Sequence, residues 1–314
     1  MNSQGQAATM LVTDWRAAPA AARGATLALG NFDGVHLGHR AVLRAAHAAR
    51  PELKLAALTF EPHPREHFRP EDPPFRLTPA ASKAAALQAA GVEIVFALPF
   101  DAAFAAMPAE DFVQEVLHGA LGARHLACGA DFAFGHRRGG DVAFLAGRAE
   151  ALGIGLTIVP PVVDEAGPIS SSRIRRVLQD GYPERAAQKL GRPWEIRGPV
   201  SHGDKRGRTI GFPTANVPLG RHLEPARGVY AIRATLAGGQ QVPGVANIGP
   251  RPTVGGTESR VEAHLFDFSG DLYGQEISIA LLHFLRPERK FSGLPELVAQ
   301  IARDAAEAKK ILHI

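Results

Sequence analysis

LALGNFDGVHLGHR (residues 27–40) is the stretch on which the reading of the fold turns. It opens inside the apolar run ATLALG (25–30), a buried strand. Gly30-Asn31-Phe32-Asp33-Gly34 then supplies a turn with little bulk at its glycines. His36-Leu37-Gly38-His39 follows, and a helix is predicted over 38–50, with Val42, Leu43, Ala46 and Ala49 on one face. Glycine lets backbone N–H groups approach a phosphate, and a helix N-terminus adds partial positive charge. His36 and His39, three residues apart, share one face of the first helical turn. Both can donate to a triphosphate and to the charge that grows on it in a transition state. The plainer reading is a glycine turn followed by histidines that cap a helix, and it suffices for an isolated H-x-G-H. The position directly after a strand and a G-x-F-D-G turn favours the phosphate site.

Further strands are predicted after this stretch at 53–60, 92–100, 124–132 and 153–160. They alternate with helical patterns at 80–90, from Pro108 onward, and at 141–152. This alternation describes a Rossmann-like α/β domain, a parallel sheet covered by helices on both faces, with ligands at the carboxyl ends of its strands. A helix at 172–180 ends at Gly181. After Pro193 the period changes to two. Tyr230, Ile232, Ala234 and Leu236 share one face, as do Val261, Ala263 and Leu265, and 276–285 is a further strand. GVANIGPRPTV (244–254) reads as a loop between strands. The second half is thus a mainly-β barrel or sandwich with a terminal amphipathic helix carrying Leu294, Leu297, Val298, Ile301, Ala305, Ala308 and Leu312. Two domains follow, residues 1–183 and 184–314.

Composition agrees. A chain of 314 residues with 46% hydrophobic and 21% charged residues is globular, and at about 100–200 residues per domain it holds about two. Lys+Arg 35 against Asp+Glu 31 leaves +4, too mild to announce a nucleic-acid partner. The single cysteine, Cys128, excludes an intramolecular disulfide and a Cys-rich zinc module and fits a reducing compartment. MNSQGQAATM (1–10) has no basic residue ahead of an apolar run, and no stretch approaches the roughly 18 apolar residues of a membrane span. The expectation is a cytoplasmic protein without a membrane partner.

Further segments carry candidate chemistry. ISSSRIRRVL (169–178) sets three serines before Arg173, Arg175 and Arg176; serines there are ordinary caps, but hydroxyls, helix N–H groups and a guanidinium can also meet one phosphate. With the upstream histidines this suggests nucleotidyl transfer. GADFAFGHRRGGD (129–141) offers Phe132 and Phe134 to a planar ring or to the core. In TFEPHPREH (59–67), Pro64 spoils a helical His63/His67 metal pair, and Cys128 reads as a small buried strand residue. GPVSHGDKRGRTIGFPTANV (198–217) is either a solvated basic loop or a flap over nucleotide phosphates. Thr214 and Asn216, two apart on an extended segment, offer two neutral oxygens of the kind Mg²⁺ takes beside phosphate oxygens. Glu262, on the strand face opposite Val261 and Ala263, is solvent-facing or a base for an attacking hydroxyl. No lysine follows a glycine, so the P-loop signature is absent, and no G-x-G-x-x-G occurs.

LALGNFDGVHLGH, TFEPHP, GADFAFG, ISSSRIR, RGRTIGFPTAN, GVANIGPRPTV and VEAHLFDF, in this order over about residues 13–311, resemble the prokaryotic bifunctional riboflavin kinase/FMN adenylyltransferase (FAD synthetase) family. The resemblance implies an H-x-G-H nucleotidyltransferase domain followed by a riboflavin-kinase barrel. Riboflavin would be phosphorylated to FMN in the second domain, and FMN adenylylated to FAD in the first. ATP, riboflavin and FMN are then substrates and Mg²⁺ the cofactor. It gives His36, His39, Ser171 and Arg175 to adenylyl transfer, with Gly30, Phe32, Asp33, Gly34 and Gly38 around ATP. Phe60, His63, Asp131, Phe132 and Arg286 fall to the flavin. Gly203, Lys205, Gly207 and Arg208 fall to the kinase ATP, Thr214 and Asn216 to MgATP, and Glu262 to the base. Ser172 stands where the family usually has Thr, and Pro250 where Thr is common. A different H-x-G-H nucleotidylyltransferase would leave the P-T-A-N element unexplained, an aminoacyl-tRNA synthetase would be longer, and an RNA-binding role would rest on 205–208 and Arg173–Arg176 alone. Oligomeric state stays open.

Overall fold

The computed structural model describes residues 9–202, 211–253 and 256–314. The chain forms two compact units, one of residues up to 73 with 78–170, the other of 74–77 with 171–314.

The first unit holds one parallel sheet of β1 (Met10–Val12), β2 (Thr26–Leu29), β3 (Leu55–Glu61), β4 (Ile94–Pro99), β5 (His125–Gly129) and β6 (Gly155–Val159), in the order β1-β4-β3-β2-β5-β6. All four residues of β2 and residues 55–59 of β3 are buried, as strands covered on both faces must be. Helix α1 (Leu37–Ala49) lays Val42, Leu43 and Ala46 in one apolar cluster with Leu87 of the helix Ala80–Ala89. The other cluster joins Leu27, Phe96, Phe112 and Leu126 with Leu145 of the helix Val142–Ala151. The strand order reverses between β2 and β5, so a crevice opens at their carboxyl ends. The loops that meet there are 30–36 and 130–141.

The sequence reading shifts at one point in this unit. Pro108 is the N-cap of a short helix (Ala109–Asp111) that widens into π-helical turns at Phe112–Ala120, not the first helical residue. Those turns keep Phe112, Val113, Val116 and Leu117 all buried.

In the second unit the helices at Ser171–Gln179 and Pro183–Leu190 precede an antiparallel sheet. The first ends as Tyr182 N–H reaches Val177 O over Gly181 at φ +84°; the second ends at Gly191 in the left-handed region. This second helix occupies the stretch read as a boundary, its buried face only Pro183, Ala186 and Leu190. After the two-residue strands β7 (Val163–Asp164) and β8 (Gly167–Pro168) at the end of the first unit, the strands here are β9 (Trp194–Pro199), β10 (Ala215–Pro218), β11 (Gly228–Thr235), β12 (Gln241–Thr253), β13 (Gly256–Leu265) and β14 (Glu276–Pro287), ordered β10-β13-β12-β11-β14-β9. A bridge of Ser201 to Asn216 brings the two edges together and nearly closes the barrel. The terminal helix, Leu294–Ile311, packs Ala308 on Val229, Ala231, Val245 and Phe266 of the outer face. GVANIGPRPTV is therefore not a loop: 244–253 is strand. Pro250 and Pro252 fit because β12 pairs only with β13 beyond Ile248, so their missing N–H groups leave no gap in the β11 ladder.

Candidate active sites

The turn after β2 is held from beneath. Thr78 donates its N–H to Asp33 Oδ1 at 2.9 Å, and Gly34 N–H donates to Thr78 Oγ1 at 2.8 Å. Asp33 and Phe32 are each 1% exposed. Asp33 Oδ1 and the Gly34 N–H thereby hold the turn in place. Gly34 sits at φ +89°, where a side chain is strained, whereas Gly30 has only ordinary contacts to the Phe32 ring. His36 is the N-cap of α1: its Nδ1 accepts from His39 N–H at 3.3 Å. The two imidazoles stack with centroids 3.6 Å apart and planes 18° apart. An accepting Nδ1 places the proton of neutral His36 on Nε2, the donor that a phosphate oxygen requires. Gly38 makes this stacking possible, since a Cβ there would lie 3.0 Å from His36 Cε1 and 3.1 Å from Nδ1.

Phe60, one residue before the end of β3, opens an aromatic seam along the carboxyl ends of the strands. Its centroid lies 5.3 Å from Phe104, which is 6.0 Å from Phe112, which is 5.4 Å from Phe134; Phe132 stacks on Phe134 at 5.4 Å and 20°. Of the two, Phe134 is buried and belongs to the core, and Phe132 is half-buried against it. Asp131 is exposed, its carboxylate folded back over Gly129. Loop 130–141 lies flat on Ala109, where a Cβ at Gly135 would stand 2.6 Å from the Ala109 backbone. His63 caps the short helix Pro64–Phe68, accepting from Arg65 N–H, while Glu66 accepts from His63 N–H. No group of three metal-ligating side chains occurs among the described residues. Burial and the charge of Asp131 push the Cys128 thiol up to about 11, which fits a packing role rather than nucleophilic chemistry.

Ser171 and Arg175 both lie on the helix Ser171–Gln179 in the second unit. Arg175 Nε donates to Phe75 O at 2.8 Å, and its guanidinium covers the Phe75 ring.

On the barrel, Asn216 of β10 stands directly opposite Glu262 of β13, which stands opposite Asn247 of β12, then Val229 of β11 and Arg286 of β14. Directly opposed residues share a face, with Cβ atoms about 4.5–5.5 Å apart. Glu262 is exposed between buried Val261 and Ala263. Asn216 is buried: its Nδ2 donates to Thr214 O, and its Oδ1 accepts from Arg260 Nη1, both at 3.4 Å. His264, two residues beyond Glu262, bonds Pro213 O through Nδ1 at 2.9 Å and so ties down the turn into Thr214. Asn247 Nδ2 donates to Glu288 Oε1 at 3.1 Å. Arg286 forms a two-pronged pair with buried Asp304, Nε to Oδ1 at 2.9 Å and Nη2 to Oδ2 at 2.7 Å, so its guanidinium also anchors the terminal helix. The Thr214 hydroxyl and Asn216 carboxamide are hard oxygens that fit Mg²⁺, and a second lone pair on Oδ1 remains beside the Arg260 bond. Gly203, Lys205, Gly207 and Arg208 lie outside the described residues.

Sequence reasoning missed Thr78, Lys83, Asn247 and Glu288. Thr78 and Glu288 carry no local signal. Lys83 could have been noticed as the lone charge in an Ala-rich helix, and Asn247 as a polar residue in an apolar strand pattern.

A histidine pair at the switch point of a parallel sheet, with a second barrel unit bearing a carboxylate and carboxamides in register, defines a two-domain group-transfer enzyme. Residues 18–173 match the FAD synthetase family and residues 190–312 the riboflavin kinase family. The chain is 42% identical over 293 residues to the bifunctional riboflavin kinase/FMN adenylyltransferase of Escherichia coli (strain K12), covering 93% of this chain and 94% of the relative. It is 40% identical over 291 residues to that of Bacillus subtilis (strain 168), covering 90% of each. A crystal structure titled as a macrolide-efflux protein from Streptococcus pneumoniae aligns with a TM-score of 0.84 at 33% identity, over 95% of this chain and 97% of that one. The chain belongs to the bifunctional riboflavin kinase/FMN adenylyltransferase family. Among the described residues, no helix is long and apolar enough to cross a membrane.

Proposed function

We propose that the family's two reactions divide along this chain, riboflavin phosphorylation in residues 184–314 and FMN adenylylation in residues 1–183. The observation that carries the kinase assignment is the direct opposition of Asn216 and Glu262. Two residues 46 positions apart in sequence become neighbours on one face, Asn216 beside ATP and Glu262 beside the attacking hydroxyl. Glu262 takes the proton of the riboflavin 5′-hydroxyl while that oxygen bonds to the γ-phosphorus of ATP and ADP leaves in line. Thr214 and Asn216 would hold Mg²⁺ with the phosphates. Bound there, the ion neutralises triphosphate charge. Gly203, Lys205, Gly207 and Arg208 complete the ATP-binding set by resemblance.

In the first domain, an FMN phosphate oxygen bonds to the α-phosphorus of ATP, and pyrophosphate leaves. His36 and His39 donate to the triphosphate as charge moves onto the leaving group, and Ser171 and Arg175 serve the same transfer. Phe60 and Phe132 offer ring faces to the isoalloxazine. No enzyme nucleophile is needed, in keeping with the buried, protonated Cys128. ATP as the shared co-substrate and a lone thiol point to the cytoplasm as the site of action.

The test is chromatographic separation of flavins after incubation with ATP and Mg²⁺, one reaction started from riboflavin and a parallel one from FMN. Conversion of riboflavin through FMN to FAD is expected. FAD formed only from FMN would overturn the kinase assignment, and FMN without FAD would overturn the adenylyltransferase assignment.

A further inference from the structure

Lys83 is 2% exposed, on a helix whose other core-facing residue is Leu87. A lysine so placed is costly unless its charge and each of its N–H groups find partners. Its Nζ meets three successive residues at the end of β3. It donates to Thr59 Oγ1 at 2.9 Å and to Phe60 O at 3.2 Å, and it pairs with Glu61 Oε1 at 2.7 Å. Thr59 in turn donates from Oγ1 to Asn31 O at 2.9 Å, inside the turn that leads to His36. One ammonium thus grips the strand end that presents Phe60 and, through a single hydroxyl, reaches the turn that leads to the histidine pair.

We propose that Lys83 is a positioning residue for FMN adenylylation. It fixes the backbone of 59–61 so that Phe60 faces the flavin, and it holds Thr59 in the rotamer that restrains Asn31. It touches no reacting atom. Burial alone does not require an ammonium here, since Leu or Met would fill the space between the helix Ala80–Ala89 and the sheet. What an ammonium adds is two directed hydrogen bonds and an ion pair to one strand end. The inference rests on the assignment of FMN adenylylation to this unit.

The test is steady-state kinetics of FAD formation from FMN by the full-length chain, with riboflavin phosphorylation measured on the same samples as an internal control for folding. Wild-type protein without FMN-to-FAD activity would refute the assignment itself and is thereby separable from failure of the inference. For Lys83→Met, a rise of about tenfold or more in KM for FMN is expected, with kcat reduced less and riboflavin phosphorylation unchanged. An unaltered KM for FMN would overturn the proposal. Lys83→Met/Glu61→Gln removes both charges. If the role were only to neutralise Glu61, the double variant would recover wild-type KM, and that recovery would overturn the proposal; persistence of the raised KM supports it. Thr59→Val leaves the ion pair in place and decides the matter even if Lys83→Met does not fold. A rise of about threefold in KM for FMN is expected, and no change would overturn the proposal.

Discussion

Gly38 shows how one missing methyl sets up a site. Its absent Cβ is the space into which the His36 ring leans to stack on His39. Gly38→Ala places that carbon about 3 Å from the imidazole, tighter than ordinary contact, so the ring must shift. We expect FAD formation from FMN to fall about 10–100-fold, because small misplacements of donors around a transferring phosphoryl are costly. The melting temperature should move little, since α1 accepts alanine well. Flavin chromatography and a thermal melt on the same variant separate the two effects. His125 is a second case. Burial, and then the charge of Arg50, lower its pKa, and its Nε2 bonds Thr157 Oγ1 at 2.9 Å. The unfolded chain binds a proton near pH 6.5 that the folded form resists, so stability rises with pH through that region and falls as pH drops below it. In urea denaturation between pH 7.5 and 5, His125→Gln should lose this part of the slope. An unchanged slope would show that other groups carry it.

The terminal helix illustrates how an element is fixed at mid-length by charge and over its last turns by packing. Its apolar residues Ala305, Ala308, Ile311 and Leu312 lie on the outer barrel face, while Asp304 takes the Arg286 guanidinium and also accepts from Gln300 at 2.7 Å. Asp304 is 4% exposed, so removing it strands a partly buried cation. Asp304→Ala is expected to destabilise the protein by about 3 kcal/mol, the lower end of the roughly 3–5 kcal/mol for breaking a buried pair from one side, because Arg286 keeps some solvent. A shift of the urea midpoint checks this. The terminal helix was plain in the sequence because seven apolar residues recur at helical spacing. The helix Pro183–Leu190 was not, because eight residues with three buried ones give too short a pattern to stand out. The 244–253 strand was misread for a related reason. Gly249, Pro250 and Pro252 carry turn signals locally, and only pairing with β13 on one side alone lets them continue a strand.

The proposed division of labour between residues 1–183 and 184–314 makes a sharp prediction for the intact enzyme. Glu262→Ala should abolish FMN formation from riboflavin and leave FAD formation from FMN intact, whereas His36→Ala should do the reverse. Equal loss of both activities in a folded variant would overturn the assignment. Chain order already carried most of the architecture: buried apolar runs of four to eight residues force a covered parallel sheet, and the change to period two after Pro193 forces an antiparallel one. It also carried the candidate histidines, serines and carboxylate, since glycine turns, helix starts and alternation are local properties of a few consecutive residues. Which side chains meet was another matter. Asn216 and Glu262 become neighbours through strand register, Thr78 reaches Asp33 across 45 residues, and Lys83 clamps β3 from a helix that follows it. Such meetings depend on closing the sheet and filling its core, which couple residues far apart along the chain, and no local pattern of residue types encodes them.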